Sequence, residues 1–205
     1  MSTAVRGRPK SLEKKKRIFE VAIDLFLTNG FDNTSMDQIA EQAGVSKQTV
    51  YSHFRNKEEL FSACVCEKCI AYELTSEFLD PDQPCSETLH KLGHRFNQLL
   101  LSPEAIGIKR ALCATAEQQP KLSEMFFEAG PKNMISVLTN YLETQSKAGK
   151  LSIDDPWTAA CQFLYMIHGE AQMRLLLNVP GQIDLKKVDC YVDSCVDVFL
   201  RAHAV

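Results

Sequence analysis

The sequence has no run of apolar residues long enough to cross a membrane. Its apolar stretches fall short of the ~18 consecutive residues that a bilayer-spanning helix requires, and its first residues lack the apolar core of a secretory signal peptide. We therefore expect a cytoplasmic protein with no membrane partner. Thiols in that compartment stay reduced, so the eight cysteines do not predict a disulfide framework.

Motifs of the common enzyme classes are also missing. The chain contains no nucleophile elbow, phosphate-binding loop, Cys/His signature or paired-carboxylate pattern. Cysteine, histidine and acidic residues are all present, so an enzyme stays an open alternative. The sequence favours a protein that binds rather than catalyses, and it predicts neither a cofactor nor a metal site.

Signals for β-strands are lacking as well, because no segment sustains the alternation of apolar and polar residues that a strand shows. Helical spacing recurs instead, and Ser11, Ser35, Ser46 and Asn56 each stand where a helix N-cap is expected. The 205-residue chain is therefore predicted to be all-α, with about nine helices. The predicted spans are Ser11–Asn29, Ser35–Ala43, Lys47–His53, Asn56–Leu79, Ser86–Leu101, Pro103–Gln119, Pro120–Ala129, Pro131–Ala148, Asp154–Asn178 and Asp184–His203.

The net charge is slightly negative, but positive charge is concentrated at the N-terminus. Met1–Arg17 carries seven cations and one anion, a balance of +6, so the remaining residues carry −9 within a net charge of −3. A basic arm on an acidic body predicts a local contact with a polyanion, with a solvated tail as the alternative. Within the arm, RGRPK (Arg6–Lys10) has the Gly-Arg-Pro core typical of segments that enter an A·T-rich minor groove. Arg6 and Arg8 are therefore candidate DNA contacts, and loose phosphate contacts by a disordered tail are the alternative.

The segment GVSKQTVYSHFRNKEEL, Gly44–Leu60, places a short donor-rich helix between two helix-start signals. The preceding short helix ends at Gly44, where a tight turn is expected, and Ile39, Val45 and Val50 supply apolar contacts across it. Two short helices joined in this way predict a helix-turn-helix, with a solvated helical hairpin as the alternative. In a helix-turn-helix the second helix presents its outer face to the DNA major groove.

Several polar side chains then gain a predicted role. Lys47, Gln48 and Thr49 lie at the N-terminus of the second helix, within reach of base edges and phosphates. Asn56 and Lys57 begin the next helix, whose free N–H groups can hold a phosphate. Gln48 is able to pair bidentately with adenine, which makes it a candidate specificity contact.

The stretch TSMDQIAEQAGVSKQTVYSHFRNKEELFSA resembles the DNA-binding segment of the TetR/AcrR family of bacterial transcriptional regulators, and the match runs from about Lys15 through Leu60. The resemblance implies a ligand-responsive repressor that binds a palindromic operator in double-stranded DNA as a homodimer. It divides the chain into a flexible basic arm (1–10), a helix-turn-helix domain (11–56) and a ligand-binding and dimerisation domain (57–205).

Matching positions imply further DNA contacts. Thr34 and Ser35 would steady the DNA backbone, Tyr51 and His53 would contact a phosphate or a base edge, and Lys57 would hold a phosphate. Phe54 is expected in the core of the reader domain instead. Gln48 departs from the family pattern, which often has glycine at this place, so its contact is specific to this chain.

The second half contains the apolar stretch Trp157–Leu177 and a last helix with Val192, Cys195, Val196 and Phe199 at helical spacing. The resemblance implies that these two helices form the dimer contact, although core helices of a monomer show the same pattern. A pocket for a small hydrophobic or amphipathic ligand is predicted from aromatic and methionine side chains, which also occur in any core. The candidates are Phe96, Leu100, Met125, Phe126, Phe127, Met134, Phe163, Met166 and Met173.

Cysteine and histidine spacing leaves one alternative open. Cys64 and Cys66 point in nearly opposite directions on a helix, so CVCEKC does not predict a zinc site. His90 and His94 share a helix face and could form a metal half-site with Cys85. A thiol- or metal-responsive regulator on the same scaffold therefore stays as the alternative to the ligand-responsive repressor. A DNA-independent interaction module is a separate, third alternative.

Overall fold

The computed structural model describes residues 8–205, with side chains from Leu12 onward, and the regular elements in that range are all helical. The all-α class is thus confirmed. A 3₁₀ turn occupies Ser76–Phe78 and a π-helical turn Glu128–Lys132. The α-helices are α1 (Arg8–Asn29), α2 (Met36–Ala43), α3 (Lys47–His53), α4 (Lys57–Ala71), α5 (Cys85–Leu101), α6 (Pro103–Thr115), α7 (Pro120–Phe127), α8 (Asn133–Lys147), α9 (Pro156–Ile167), α10 (Gly169–Leu176) and α11 (Leu185–Ala202).

The described chain divides into two compact units. The first contains the residues up to Val65 together with Ala111–Phe126, and the second contains Cys66–Arg110 together with Phe127–Val205. The helix-turn-helix segment lies in the first unit, whereas α5, α8, α9, α10 and α11 lie in the second.

Phenylalanine rings hold the first unit together. The rings of Phe26, Phe31 and Phe61 pack against one another with centroids 5.4–5.7 Å apart, and two of these three contacts are edge-to-face. Phe19 of α1 packs on Phe54, at the end of α3, with centroids 5.6 Å apart. Phe54 is buried, so its predicted place in the core is confirmed. These contacts fix α1, α3 and α4 to one another and leave the outer face of α3 uncovered.

The core of the second unit lies where α5, α8, α9 and α11 pack together. Gly93 of α5 lies at the contact of this helix with α9 and α11. A Cβ atom at this position would lie 3.2 Å from side-chain carbons of Ile167, Val192 and Val196. Glycine therefore allows α5 to approach α9 and α11 more closely than a larger residue would.

The fourth helix is shorter than the sequence predicted, since α4 ends at Ala71 and not near Leu79. Glu73 adopts a left-handed conformation with φ of 56°, and the Leu74 N–H donates to the Cys69 carbonyl at 2.9 Å. This is a helix stop of the kind that glycine usually provides. The Glu73 carboxylate is paired with Arg95 of α5, a tertiary contact that the local sequence does not reveal.

The prediction of a single helix over Asp154–Asn178 was wrong, because the helix is interrupted between α9 and α10. Gly169 has φ of 54°, and a Cβ there would lie 2.8 Å from the ring of Tyr191. The Met166 carbonyl, next to the break, accepts a hydrogen bond from the Tyr191 hydroxyl at 2.8 Å. The partner of this carbonyl comes from α11, so the break is stabilised by tertiary structure.

Other helix boundaries also differ from the prediction. Helix α1 begins at Arg8, three residues before the predicted cap Ser11, and α6 ends at Thr115 rather than near Gln119. Gly130 and Pro131 do not separate two helices but lie in the π-helical turn between α7 and α8. A wider turn accommodates a proline, which has no N–H to donate. Within residues 8–205, no helix is both long and apolar enough to cross a membrane.

Candidate nucleic-acid interface

Helix α2 begins with the capping box that the sequence predicts. The Ser35 hydroxyl accepts a hydrogen bond from the Gln38 N–H at 3.2 Å, and the Gln38 side chain accepts one from the Ser35 N–H at 2.8 Å. The helix buries Met36, Ile39, Ala40 and Ala43. Both ends of the capping box are local, which is why this start could be read from the sequence.

The turn between α2 and α3 is formed by Gly44, whose φ of 65° and ψ of 35° are left-handed. Its N–H donates to the Glu41 carbonyl at 3.1 Å, and the N–H of Val45 donates to the Ala40 carbonyl at 3.0 Å. This pair of bonds is a Schellman motif, which usually needs glycine at the left-handed position. The guanidinium group of Arg17 lies over the turn, 3.6 Å from where a Cβ of residue 44 would be. The predicted tight turn at Gly44 is confirmed.

Helix α3 presents a polar face to solvent. Ser46 caps it by accepting a hydrogen bond from the Thr49 N–H at 3.1 Å, and Val50 is buried beneath it. The exposed side chains include the lysine, the glutamine, the tyrosine and the histidine of the predicted interface, while Thr49 is half-buried. The Thr49 hydroxyl shares a 2.8 Å hydrogen bond with Ser46. The exposed interface side chains are Lys47, Gln48, Tyr51 and His53.

Lys47 has a partner on α2 that sequence reasoning missed. Its ammonium group lies 2.6 Å from the Asp37 carboxylate, and both side chains are largely exposed. The hydrogen bond to Asp37, and then the charge of that carboxylate, raise the pKa of Lys47, so the lysine is cationic at neutral pH. The contact joins residues ten positions apart across the turn, so the local sequence pattern does not predict it.

Thr34 and Ser35, the two residues expected to contact the DNA backbone, differ in their exposure to solvent. Thr34 is buried, and its hydroxyl donates to the carbonyls of Leu25 and Gly30, at 3.2 and 2.8 Å respectively. The side chain of Thr34 is therefore unavailable for the predicted DNA contact, and it instead ties the loop to α1. Ser35 is exposed, and its hydroxyl retains a hydrogen that it can donate.

Asn56 caps the N-terminus of α4. The Asn56 side chain accepts from the Glu59 N–H at 2.8 Å, and the Glu59 carboxylate accepts from the Arg55 N–H at 2.8 Å. The Lys57 ammonium group donates to the carbonyls of Phe31 and Asp32 and lies 4.4 Å from the centre of the Phe31 ring. Two of the three ammonium hydrogens are thus bound within the chain, and the third stays available for the predicted phosphate contact.

The basic arm is described only in part. Arg6 lies outside the described residues, and the backbone of Arg8 belongs to the first turn of α1, although its side chain is not described. The backbone from Arg8 to Lys10 is helical and not extended as minor-groove binding would require.

The ligand-pocket candidates are divided between the two units, since Met125 and Phe126 belong to the first and the rest to the second. Phe96, Met134 and Phe163 are buried in the core of the second unit. Met173, in contrast, is largely exposed, and Leu100 and Met166 are half-buried. Phe127 is exposed. Three of the candidates are thus core side chains, and two are exposed.

The histidines of α5 face aspartates of α11. The His94 imidazole lies 2.7 Å from Asp193 and 3.6 Å from Asp189, and the His90 ring lies 3.6 Å from Asp197. In the part of the chain that the structure describes, no group of three or more histidine, cysteine or acidic side chains is arranged to hold a metal ion. These contacts therefore form a polar part of the interface between α5 and α11.

Comparison with known proteins assigns both halves of the chain. Residues 18–64 match the model of the bacterial regulatory proteins of the tetR family, and residues 87–205 match the C-terminal domain of AefR-like transcriptional repressors. The HTH-type transcriptional regulator YhgD of Bacillus subtilis (strain 168) is 35% identical over 153 residues, which cover 71% of this chain and 76% of YhgD.

Solved structures agree with this assignment. A TetR-family transcriptional regulator from Mesorhizobium loti has a TM-score of 0.75 and 26% identity, covering 97% of this chain and 100% of that one. The flavonoid-responsive regulator FrrA has a TM-score of 0.70 and 29% identity, covering 93% of this chain and 97% of its own. Both family models match the chain, and the similarity to known regulators extends along it. These matches agree with the exposed, capped α3 behind a glycine turn. The chain therefore belongs to the TetR family of transcriptional regulators, a family of DNA-binding proteins and not of enzymes.

Proposed function

We propose that this regulator is a repressor that binds a palindromic operator as a homodimer and leaves it when a small molecule binds the second unit. The observation that carries the proposal is the outer face of α3, where Lys47, Gln48, Tyr51 and His53 are exposed and the helix is held by a cap and a glycine turn. A short helix with this exposed donor set fits the major groove.

The similar proteins support the regulatory part of the proposal. The second half of the chain matches AefR-like transcriptional repressors, and FrrA, similar over nearly the whole chain, responds to flavonoids. A two-fold symmetric protein places its two recognition helices on two half-sites, which makes the operator palindromic. Ligand binding would shift the population between two arrangements of the dimer, of which only one fits the operator.

The first experiment is selection of fragmented genomic DNA by the purified full-length protein. We expect a short palindrome to be enriched. The double variant Lys47→Ala/Tyr51→Ala should lose affinity for the enriched DNA, and the salt dependence of binding should become less steep because a phosphate contact is gone. If no sequence is enriched, or if the double variant binds as well as the parent chain, the interface is not on α3 and a DNA-independent interaction module becomes the better description.

Gln48 provides the test of base recognition. Replacing Gln48 by Ala should relax the preference at one base-pair step of the operator, because a bidentate contact with adenine would be lost. Gln118→Ala, an exposed glutamine outside the helix-turn-helix, is the matched control and should leave the preference unchanged. An unaltered preference in the Gln48 variant across a set of mutated operators would assign specificity to other residues.

The thiol-responsive alternative is tested by repeating the selection with and without reductant. Burial raises the pKa of Cys69 to about 11 and also raises that of Cys66, so both sulfurs stay protonated at neutral pH. Protonated thiols react slowly with oxidants. Cys113 and Cys190 are exposed, and enrichment that depended on reductant would direct attention to these two.

A further inference from the structure

A histidine–aspartate cluster joins α5 to α11 within the second unit, where these two helices pack together. Its two histidines lie one helical turn apart on α5, and its three aspartates follow one another at four-residue spacing on α11. The imidazole side chains are 29% and 32% exposed, so water reaches them. The members of the cluster are His90, His94, Asp189, Asp193 and Asp197.

His94 has a carboxylate near each of its two ring nitrogens. Nε2 lies 2.7 Å from Asp193, a hydrogen-bond distance, and Nδ1 lies 3.6 Å from Asp189. An ionised carboxylate only accepts hydrogen bonds, so Nε2 carries a hydrogen and donates to Asp193. A neutral imidazole has a single N–H, which leaves Nδ1 without a hydrogen beside the second anion. Only the protonated ring offers an N–H group to both carboxylates.

His90 repeats this arrangement with a different first partner. Its Nδ1 lies 2.8 Å from the Ser86 carbonyl oxygen, which only accepts, so this nitrogen carries a hydrogen. Its Nε2 lies 3.6 Å from the Asp197 carboxylate and has no hydrogen in the neutral ring. Protonation of His90 therefore places a positive charge beside Asp197, in the same way as protonation of His94 does beside Asp189.

The other charged side chains of α5 have partners outside the cluster. Lys91 lies 2.5 Å from Glu87, one turn before it on the same helix. Arg95 pairs with Glu73, which follows α4. The two histidines are therefore the groups of α5 that face the aspartates of α11.

The other helices packed on α5 add no titrating group to the cluster. Helix α9 has no charged residue, and Glu170 and Arg174 of α10 pair with each other at 3.4 Å. His168, between these helices, packs against Phe96, and its pKa is lowered to about 4 by burial and then by the charge of Lys109. Lysine, arginine and carboxylate side chains ordinarily keep their charge between about pH 5.5 and about pH 8, whereas histidine changes its charge in that range. The remaining charged residues of α11 are Lys186, Lys187 and Arg201.

The aspartates repel one another when the histidines are neutral. Like charges four residues apart destabilise a helix, and protonation of both imidazoles sets two positive charges opposite the three negative ones. It also makes the hydrogen bond to Asp193 charge-assisted on both sides. We propose that the histidine–aspartate cluster is a pH-responsive contact, which holds α5 to α11 strongly when His90 and His94 are protonated and weakly when they are neutral.

The sign of the effect follows from proton linkage. An unfolded chain ordinarily protonates its histidines below about pH 6.5. The stability contributed by the charged cluster is therefore complete below that pH and is lost as the pH rises toward about 8. The second unit thus becomes less firmly packed in alkaline conditions, whether or not the first unit is bound to DNA.

Urea unfolding of the full-length protein at about pH 5.5 and about pH 8 tests the proposal. Trp157 is the only tryptophan of the chain and lies in the second unit, so its fluorescence reports on that unit. In His90→Gln/His94→Gln the side chains still donate hydrogen bonds but cannot become charged. We expect this variant to lower the urea midpoint by at least about 0.3 M more at the lower pH than at the higher one. His168 is present in both proteins, so its titration cancels in the comparison.

Two further variants attribute the effect to the cluster. His53→Gln, at an exposed histidine of the first unit, is the matched control and should change the midpoint equally at both pH values. In the background Asp189→Asn/Asp193→Asn/Asp197→Asn, replacement of both histidines should no longer have a pH-dependent effect, because the carboxylates are gone. The single variants His94→Gln and Asp193→Asn, compared in the same way, decide the question if a multiple variant does not fold.

Three results would overturn the proposal. The first is an equal loss of midpoint at both pH values in the folded histidine variants, and the second is a larger loss at the higher pH. The third is a pH-dependent effect of the histidine replacements that persists without the three carboxylates. Each of these would show that His90 and His94 contribute through packing or hydrogen bonds alone, and not through their charge.

Discussion

The turn at Gly44 gives a quantitative prediction about the helix-turn-helix. With φ of 65° at this position, an L-amino acid must adopt the left-handed conformation, which costs roughly 1–2 kcal/mol. A Cβ atom would meet the Arg17 guanidinium group at 3.6 Å, an ordinary van der Waals contact. The cost of Gly44→Ala is therefore conformational and not steric, so we expect the free energy of unfolding to fall by about 1–2 kcal/mol.

The order of two substitutions distinguishes these causes. Asparagine is larger than alanine but tolerates the left-handed region better, so Gly44→Asn should lose only about half as much stability as Gly44→Ala. Urea unfolding followed by far-UV circular dichroism measures both. Gly149→Ala is the matched control, since Gly149 has φ of 68° after α8 and no atom within 4 Å of the added Cβ. A greater loss for asparagine than for alanine, or a loss at Gly44 far above that at Gly149, would show that crowding at Arg17 sets the cost and would refute the conformational explanation.

Three further substitutions test other contacts. Thr34→Val should lower the free energy of unfolding by about 1–2 kcal/mol, because the hydrogen bonds of a buried hydroxyl are lost. Its operator affinity should stay within about twofold of that of the parent chain. Weaker DNA binding at unchanged stability would show that Thr34 is a DNA contact. Asp37→Asn should strengthen operator binding about two- to fivefold in an anisotropy titration, because Lys47 is released and an anion near the phosphates is removed; weaker binding would mean that Asp37 positions Lys47. Burial lowers the pKa of His168 to about 4 from the ordinary 6.5, so the stability due to its neutral form is complete above about pH 6.5 and is lost as the pH falls toward about 4. Between about pH 7.5 and about pH 5 the parent chain should lose about 1 kcal/mol more than His168→Gln, after allowance for the partly exposed ring, and equal losses in urea titrations at both pH values would contradict the burial of His168.

The parts of the fold that the sequence predicted well depend on neighbours in the chain. The bonds of Ser35 and Gln38, the turn at Gly44 and the cap at Ser46 all join residues a few positions apart, so residue type and spacing suffice to anticipate them. The end of α4 was not predicted because its left-handed residue is Glu73, held by Arg95 of another helix.

The candidate sites show the same limit. The exposed donors of α3 follow from helical spacing and a buried Val50, but the hydroxyl bonds of Thr34 and the pairing of Lys47 with Asp37 depend on three-dimensional contacts. The break between α9 and α10 could not be anticipated, because its stabilising hydrogen bond comes from Tyr191, 25 residues beyond Met166. The ligand-pocket candidates were chosen by residue type, and this choice selected core residues such as Phe96, Met134 and Phe163.

The local character of the bonds around Gly44 also has a kinetic consequence. Contacts between residues close in sequence form with little loss of loop entropy, and chains rich in such contacts fold fast. We therefore expect the turn from α2 to α3 to form early in folding. The packing of Gly93 against Ile167 and Val192 joins distant parts of the chain and is expected to form later. We expect substitutions at Gly44 to slow folding, and Gly93→Ala to act mainly by accelerating unfolding, so the DNA-reading segment takes its shape before the rest of the regulator has closed around its core.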